Sequence, residues 1–353
     1  MIKKIAKALA YIMLIIALTF TALLVILTLT DYRPEVETSL QVQNNGTTTL
    51  KKGTELSIIT FNIGYCGLDK NQDFFMDGGT SSRSSSKEQT MTNLEKITTF
   101  LADQKADIML LQELDIKSTR SFNINELEYM KSIFKDYSSI FGQNYKVPWV
   151  PIPISQPMGA ADSGLVTLSR YMTTKAARYQ YPGSETWPVQ LFELDRCFVE
   201  SRIPTSEGKE LVLINSHLSA FDKGGEIRKK QLDFLESYIT GEYSKGNYVI
   251  VGGDWNHQLP GTDASHFKAG ESWPFWLQKL PDDFTPSEFK WGVDSSIPSN
   301  RTVAKAYVKG ENFLSVIDGF LVSPNVEIIS VKGHDLGFEN SDHNPVTGAF
   351  VLK

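Results

Sequence analysis

Cysteine is scarce in this chain. Two thiols, Cys66 and Cys197, stand among 353 residues, too few for a disulfide framework or a cysteine-type zinc site. A single bridge and two separately buried thiols are the alternatives, and the second is the plainer expectation. Positive charge is short as well. The net charge is −6, and three of the positive charges, Lys3, Lys4 and Lys7, precede any acid; taking those three away leaves −9 on residues 8–353. A body of that sign has no general grip on polyanions, which argues against a non-specific nucleic-acid scavenger and leaves room only for a local basic cleft. No internal repeat is present, so a solenoid or propeller array is not indicated.

Charge is missing altogether from residues 8–30, which are mostly apolar. As a helix this run reaches about 35 Å, enough for a bilayer core. No small-x-small cleavage site follows it, and no lipobox-like cysteine. The expectation is an uncleaved single-pass anchor rather than a signal peptide. With lysines before it and Asp31, Glu35 and Glu37 after it, the positive-inside rule keeps residues 1–7 in the cytoplasm and sends the remainder across. Residues 31–53 are polar without periodicity and read as a linker. The remainder, 54–353, reads as one domain. Its composition is that of a globular protein: the whole chain is 41% hydrophobic and 22% charged.

From Glu55 onward the pattern is dense α/β. Leu56 to Ile63 is a β-rich run. Asp69 to Glu88 is a long Ser- and Gly-rich loop. Leu94, Ile97 and Leu101 fall at helical spacing, and Asp107 to Leu111 is a buried strand. Leu127, Met130, Phe134 and Tyr137 mark another helix. Pro148 to Pro157 is too proline-rich for a central strand. Strands are expected over residues 164–168, 190–203 and 211–216, then a helix from Glu226 to Tyr238, the Tyr248–Val251 strand, an aromatic stretch over residues 273–291, and strands over 316–322, 327–331 and 345–352. Several strands follow one another directly while others are fed by a helix. That alternation implies two mixed sheets packed face to face with helices outside.

The chemistry-bearing residues cluster at strand exits. Val251-Gly252-Gly253-Asp254-Trp255-Asn256 ends a strand at a glycine turn, and Asp254 and Asn256, two apart, project to one side. A carboxylate there can take a proton from water or bind a hard cation, and an amide can hold water or donate to a charged oxygen. Both are also ordinary turn residues. Glu113 ends the strand before Leu114; a lone carboxylate suits Mg²⁺, which keeps several waters, and equally suits a solvated strand end. His217 closes Leu211–Ser216, as an acid, a phosphoryl-oxygen donor or a plain loop histidine. Asp318 sits in Val316-Ile317-Asp318-Gly319-Phe320, apolar enough that its carboxylate needs a partner. Asp342 and His343, in Ser341-Asp342-His343-Asn344-Pro345, are either a ligand and proton carrier or turn residues. Asn62 ends the first strand. Arg170 and Arg196 are set aside, because arginine is common at strand ends.

In this order the exits resemble a known motif series. The strand ending in Asn62, Leu111-Gln112-Glu113, Asn215-Ser216-His217-Leu218, Gly253-Asp254-Trp255-Asn256, Ile317-Asp318-Gly319 and Ser341-Asp342-His343 are similar to those of the endonuclease/exonuclease/phosphatase superfamily. That group includes deoxyribonuclease I, abasic-site endonucleases, neutral sphingomyelinases and inositol-polyphosphate phosphatases. The resemblance spans roughly residues 55–353, with Trp255 where Phe is more usual. It implies a four-layer α/β/β/α sandwich and phosphoester hydrolysis by water with Mg²⁺ or Mn²⁺. It places Asn62, Glu113 and Asp342 at the metal. Asp254 would activate water and Asn256 would orient it or stabilise the transition state. His217 and His343 would contact the scissile phosphate as imidazolium donors, with Asp318 supporting His343. The implied partners are a phosphoester substrate, whether lipid, nucleic acid or small molecule, and the membrane through the N-terminal helix; no protein partner is indicated. The catalytic set does not discriminate among substrates, which loops select. Trp149, Phe74 and Phe75 on such loops favour a phospholipid-type or small phosphodiester over duplex DNA. The alternatives are a nuclease, a phosphomonoesterase, or a catalytically dead binding protein of the same fold.

Overall fold

The computed structural model describes residues 1–222 and 224–353. An apolar helix, Ile2–Thr30, stands first. It is long and apolar enough to cross a membrane, a property that a signal sequence shares. Its side chains are exposed along most of its length, and Leu27 alone is fully buried.

Beyond the helix, two large mixed sheets form the body. In the six-stranded sheet the order is Val326–Gly333, Val346–Leu352, Glu55–Asn62, Ile108–Asp115, Gly159–Ser169, Ser138–Val150. The seven-stranded sheet runs Glu37–Ser39, Lys175–Gln180, Cys197–Pro204, Glu210–His217, Tyr248–Asp254, Asp318–Val322, Lys290–Gly292. Each sheet has one parallel pair at its centre, Glu55–Asn62 with Ile108–Asp115 and Glu210–His217 with Tyr248–Asp254. The neighbouring pairings are antiparallel.

Three apolar layers hold the sheets and helices together. Ile58, Leu110, Leu213, Ile250 and Phe320 from facing strands meet between the sheets. Leu94, Ile97 and Leu101 of the Lys87–Gln104 helix, with Leu127 and Met130 of the Glu126–Ile133 helix, cover the outer face of the six-stranded sheet. Leu232, Leu235 and Ile239 of the Glu226–Ser244 helix cover the other. Alternating strand residues point to opposite faces, so each central strand feeds two of these layers and carries apolar residues on both faces. The result is the α/β/β/α sandwich that the strand pattern implied. Trp255 is fully buried, its indole N–H donating to Gly319 O at 3.2 Å and its ring edge-on to Trp291.

Several boundaries differ from expectation. Phe134 and Tyr137 lie beyond their helix, which ends at Ile133; both still pack against it, so their spacing reflects burial rather than helical continuation. Residues 189–192 form a 3-10 turn, and the strand begins only at Cys197. Within the expected linker, residues 31–53, the stretch from 37 to 50 is laid along the body. Glu37–Ser39 adds an edge strand to Lys175–Gln180, Gln43 bridges Ser139, and Leu50 is fully buried between the sheets. Backbone pairing supplies this order, and a polar segment hides it from any hydrophobic pattern. Ser138–Val150 runs into the proline-rich stretch, as an edge strand can. Cys66 and Cys197 are free and buried.

Candidate active site

The parallel strands of both sheets end on the same side, and their terminal residues converge. Asn62 pairs in register with Gln112, one residue before Glu113. His217 pairs with Asp254, and Asp254 with Asp318. This register places a histidine and two carboxylates side by side on three adjacent strands. The close approach depends on Gly253. Its φ is 152°, and a Cβ there would lie 2.0 Å from Ser216 O, so no other residue fits without moving the strand. Glu113 and Asn256 both have positive φ, 54° and 49°, conformations that cost strain in non-glycine residues and are held by their surroundings.

A polar bridge between the sheets sits behind the site. Gln112 Nε2 donates to Asn215 Oδ1 at 2.7 Å, and Asn215 Nδ2 donates to Leu111 O and Val166 O. Asn62 Nδ2 donates to Asp254 Oδ2 at 3.0 Å and to Glu113 Oε1 at 3.3 Å, while Asn62 Oδ1 accepts from Gly64 N. Asn62 therefore spans the two carboxylates. Its oxygen keeps a second acceptor site beyond the bond from Gly64 N.

His343 Nδ1 lies 2.8 Å from Asp318 Oδ2, and Nε2 lies 3.8 Å from Asp254 Oδ2. Burial opposes its charge, but Asp318, then Asp254 and Asp342, outweigh it and push the imidazole up to about 10. His217 goes the other way. Its Nε2 is 3.5 Å from Asp254 Oδ2, yet burial, then Arg196 and His343⁺, hold it well below the usual histidine range. The two imidazoles therefore differ: His343 holds a proton between carboxylates, while burial, with Arg196 and His343⁺ opposing a further positive charge, favours the neutral form of His217. Burial, reinforced by Asp318, raises Asp254 to about 7, against the pull of His343⁺ and the Asn62 bond. Burial also raises Asp342, to about 6. The side chain of Asn256 donates to Leu218 O at 2.8 Å, and its backbone N–H donates to Asp254 Oδ1 at 2.9 Å.

All of Glu113, His217, Asp254, Asn256, Asp342 and His343 line one cavity. Asp318 and Asn62 stand behind it. Asp254, Asp318 and His343 bring three ligand atoms within 4.8 Å of one another, but the Asp318–His343 hydrogen bond and the imidazolium charge use up two of them. Glu113 and Asp342 fit a hard cation better. They offer oxygen donors on the same cavity, and among the described residues Glu113 has no salt-bridge partner, its side-chain hydrogen bond coming from Asn62 alone.

The cavity also holds residues that sequence reasoning did not place. Arg196 is half-buried, and its Nη1 is buried with no hydrogen-bond partner among the described residues; burial depresses its pKa despite Glu113 and Asp254 nearby. Arg170, set aside with it, lies at the far end of its strand near Asp107. Arg120 is locked to Asp115 and stacks at 3.9 Å on Tyr65, whose buried hydroxyl has no partner among the described residues. Asn300 lies 3.1 Å from His343 Nε2. Asn300 and Arg120 follow no apolar run that would have marked them, and Tyr65, just past the first strand's exit, carries no charge to single it out. The cavity walls include Phe74, Met76, Tyr145, Met158, Phe192 and Trp276.

This arrangement can accept a proton at Asp254, donate one at His343, hold a cation at Glu113 and receive an anion at Arg196. The family pattern described as Endonuclease/Exonuclease/phosphatase matches residues 59–343. No curated protein matches the sequence. Among solved structures the chain is similar to an endonuclease/exonuclease/phosphatase from Beutenbergia cavernae, with TM-score 0.58 and 14% identity over 84% of this chain and 72% of that one. A second, from Bacteroides vulgatus, has TM-score 0.53 and 17% identity over 85% of this chain and 100% of that one. D. rerio TDP2, complexed with a single-strand DNA product, has TM-score 0.52 and 16% identity over 84% of this chain and 99% of that one. At these identities the likeness is one of fold, while the pattern match covers most of the chain. The chain belongs to the endonuclease/exonuclease/phosphatase family.

Proposed function

We propose that this protein is a membrane-anchored, divalent-metal-dependent phosphodiesterase that uses water to cleave a phospholipid-type or other small phosphodiester. The observation that carries the hydrolytic reading is the convergence of Asp254, the His343–Asp318 pair and the unpartnered Arg196 on one buried cavity. Glu113 and Asp342 would hold Mg²⁺ or Mn²⁺, with Asn62 tying Glu113 to Asp254. When bound, the cation offsets charge on the phosphoryl oxygens and lowers the cost of deprotonating water.

The chain's own residues do the rest. Asp254, raised to about 7, accepts a proton from the attacking water near neutral pH. Asn256 holds the backbone turn that aims it. His343 keeps its proton because Asp318 faces Nδ1, and Nε2 passes it to the leaving oxygen. Neutral His217 donates one hydrogen bond to a phosphoryl oxygen. Arg196 pairs with the phosphate, replacing the partner that its buried Nη1 lacks, and desolvation makes that pair strong. The apolar walls exclude water and suit a substrate with an apolar leaving group or tail better than a duplex. The exposed, apolar helix, uncharged from Ala8 onward, supports an anchor over a core helix, since a core helix would be covered.

Initial rates of the full chain in detergent, with Mg²⁺ at matched ionic strength, test the substrate class on sphingomyelin micelles, bis-p-nitrophenyl phosphate and supercoiled plasmid. Turnover of the first two above the plasmid supports the proposal. Rapid nicking without lipid turnover, lost in Asp254→Asn, assigns a surface nuclease instead.

A further inference from the structure

The N-terminal helix ends against the catalytic body, and the place where it does so is specific. Leu23, Leu24 and Leu27 pack into a cluster of Tyr145, Val147, Val150, Met158 and Leu191, and Trp187 Nε1 donates to Thr28 Oγ1 at 3.2 Å. The same cluster is one wall of the catalytic cavity: Tyr145, Met158, Phe192 and Leu194 belong to both. One layer of side chains separates the helix from the cavity.

Around this junction the body exposes large apolar side chains. Trp149 is 41% exposed, Ile152 50%, Ile154 90%, Trp187 56% and Val189 48%. They lie at the end of Ser138–Val150, on the loop after it and on the segment before Cys197. Tryptophan at such a rim is what a membrane–water interface selects.

The length of the helix decides where this rim sits. A hydrocarbon core of about 30 Å takes roughly 20 residues of helix. Counted from Ala8, the first residue after the last lysine, that reaches Leu27. The leucines that touch the body are therefore still at the edge of the hydrocarbon, and whatever packs against them is drawn into the headgroup layer. We propose that the 149–154 loop and the 187–189 corner form a bilayer-docking surface that holds the catalytic cavity against the membrane, so that a lipid phosphodiester reaches Glu113 and Asp254 without leaving the leaflet. The proposal rests on the reading of the Ile2–Thr30 helix as an anchor.

The two native cysteines are buried, so single cysteines added at the surface can be labelled selectively. Ile15→Cys, Trp149→Cys, Ile154→Cys and Ile329→Cys in the full chain, each carrying an environment-sensitive fluorophore, are compared in nanodiscs holding one copy, with plain or brominated phosphatidylcholine. Ile15 reports the anchor. Ile329 is 49% exposed on the Val326–Gly333 strand, at the opposite edge of the six-stranded sheet from Ser138–Val150, and reports the far side. The expected result is a blue shift and bromolipid quenching at 149 and 154 comparable with 15, and neither at 329. Labels at 149 and 154 that behave like 329 while 15 is quenched overturn the docking surface and leave the anchor standing. A label at 154 that is blue-shifted but unquenched means protein covers the loop, which also overturns the proposal. An unquenched label at 15 removes the anchor and the docking surface together.

Discussion

Asp318→Asn tests the charge logic of the site. Asp318 Oδ2 lies 2.8 Å from His343 Nδ1, and both side chains are almost fully buried. Burial alone favours the neutral imidazole, yet the surrounding carboxylates raise His343 from 6.5 to about 10. At 1.36 kcal/mol per unit, that is about 5 kcal/mol of preference for the protonated form. Asp318 contributes both a charge and a hydrogen bond, and losing one close opposite charge shifts a pKa by about 1–3 units. His343 then releases its proton at lower pH, so the step that needs Nε2–H fails earlier as pH rises. The alkaline limb of kcat/KM should move to lower pH by about 1–3 units. His343 would then titrate at about 7–9 and keep at least about half of its proton at pH 7, so turnover there should fall only modestly, and the loss should steepen above the shifted limb. Initial rates on bis-p-nitrophenyl phosphate across the pH range measure both, with near-UV circular dichroism confirming the fold. Asp318→Ala should give the same shift, which separates lost charge from a wrong tautomer imposed by the new amide. An unmoved alkaline limb in both variants refutes the reasoning, whatever happens to the rate.

Glu113→Ala should raise the Mg²⁺ concentration needed for half-maximal rate and cut turnover sharply; an unchanged metal titration would remove Glu113 from the ion. Arg196→Gln should raise KM or lower kcat/KM by about 10–100-fold, the worth of a charge-assisted hydrogen bond, and an unchanged kcat/KM would take Arg196 off the phosphate. Acid should destabilise the fold through His257, whose pKa burial depresses to about 4. The folded state resists a proton that the unfolded chain accepts below about 6.5. Its stabilising contribution is therefore complete above pH 6.5 and is lost as pH falls toward 4, about 2 kcal/mol of it by pH 5. Denaturant unfolding of His257→Gln at pH 7.5 and pH 5 should show that much less pH dependence than the parent chain, and an equal dependence in both would exclude His257 as its source.

Where sequence and structure agree, the reason is local. Glu113, His217 and Asp254 each lie within three residues of the end of an apolar run, and such a run must be a buried strand with polar residues gathering at its exit. Asp318 was legible because a carboxylate inside an apolar strand needs a partner, and His343 supplies it. Asn62 was legible as a strand exit, but its bonding was not: which carboxylates its amide spans depends on the register of two sheets. Asn300 belongs to a segment with no periodicity, so nothing in its neighbourhood distinguishes it from a loop residue, and Tyr65, just past a strand exit, carries no charge to single it out. Arg196 was weighed and left out because a strand-end arginine is ordinary, and only its Nη1, buried without a partner among the described residues, sets it apart from Arg170. The 37–50 segment failed for a related reason. Edge pairing is made by backbone groups, which every residue carries, and so leaves no trace in side-chain pattern.

The central claim is that Asp254 and a divalent cation together hydrolyse a phosphodiester in the cavity at the strand ends. The most direct measurement is turnover of bis-p-nitrophenyl phosphate by the full chain after EDTA treatment, then with Mg²⁺ or Mn²⁺ restored, for the parent and for Asp254→Asn. The account predicts no turnover in EDTA, recovery with either cation, and a loss of about two orders of magnitude or more in Asp254→Asn under saturating metal. Full activity in EDTA, or an Asp254→Asn variant as fast as the parent, would contradict it.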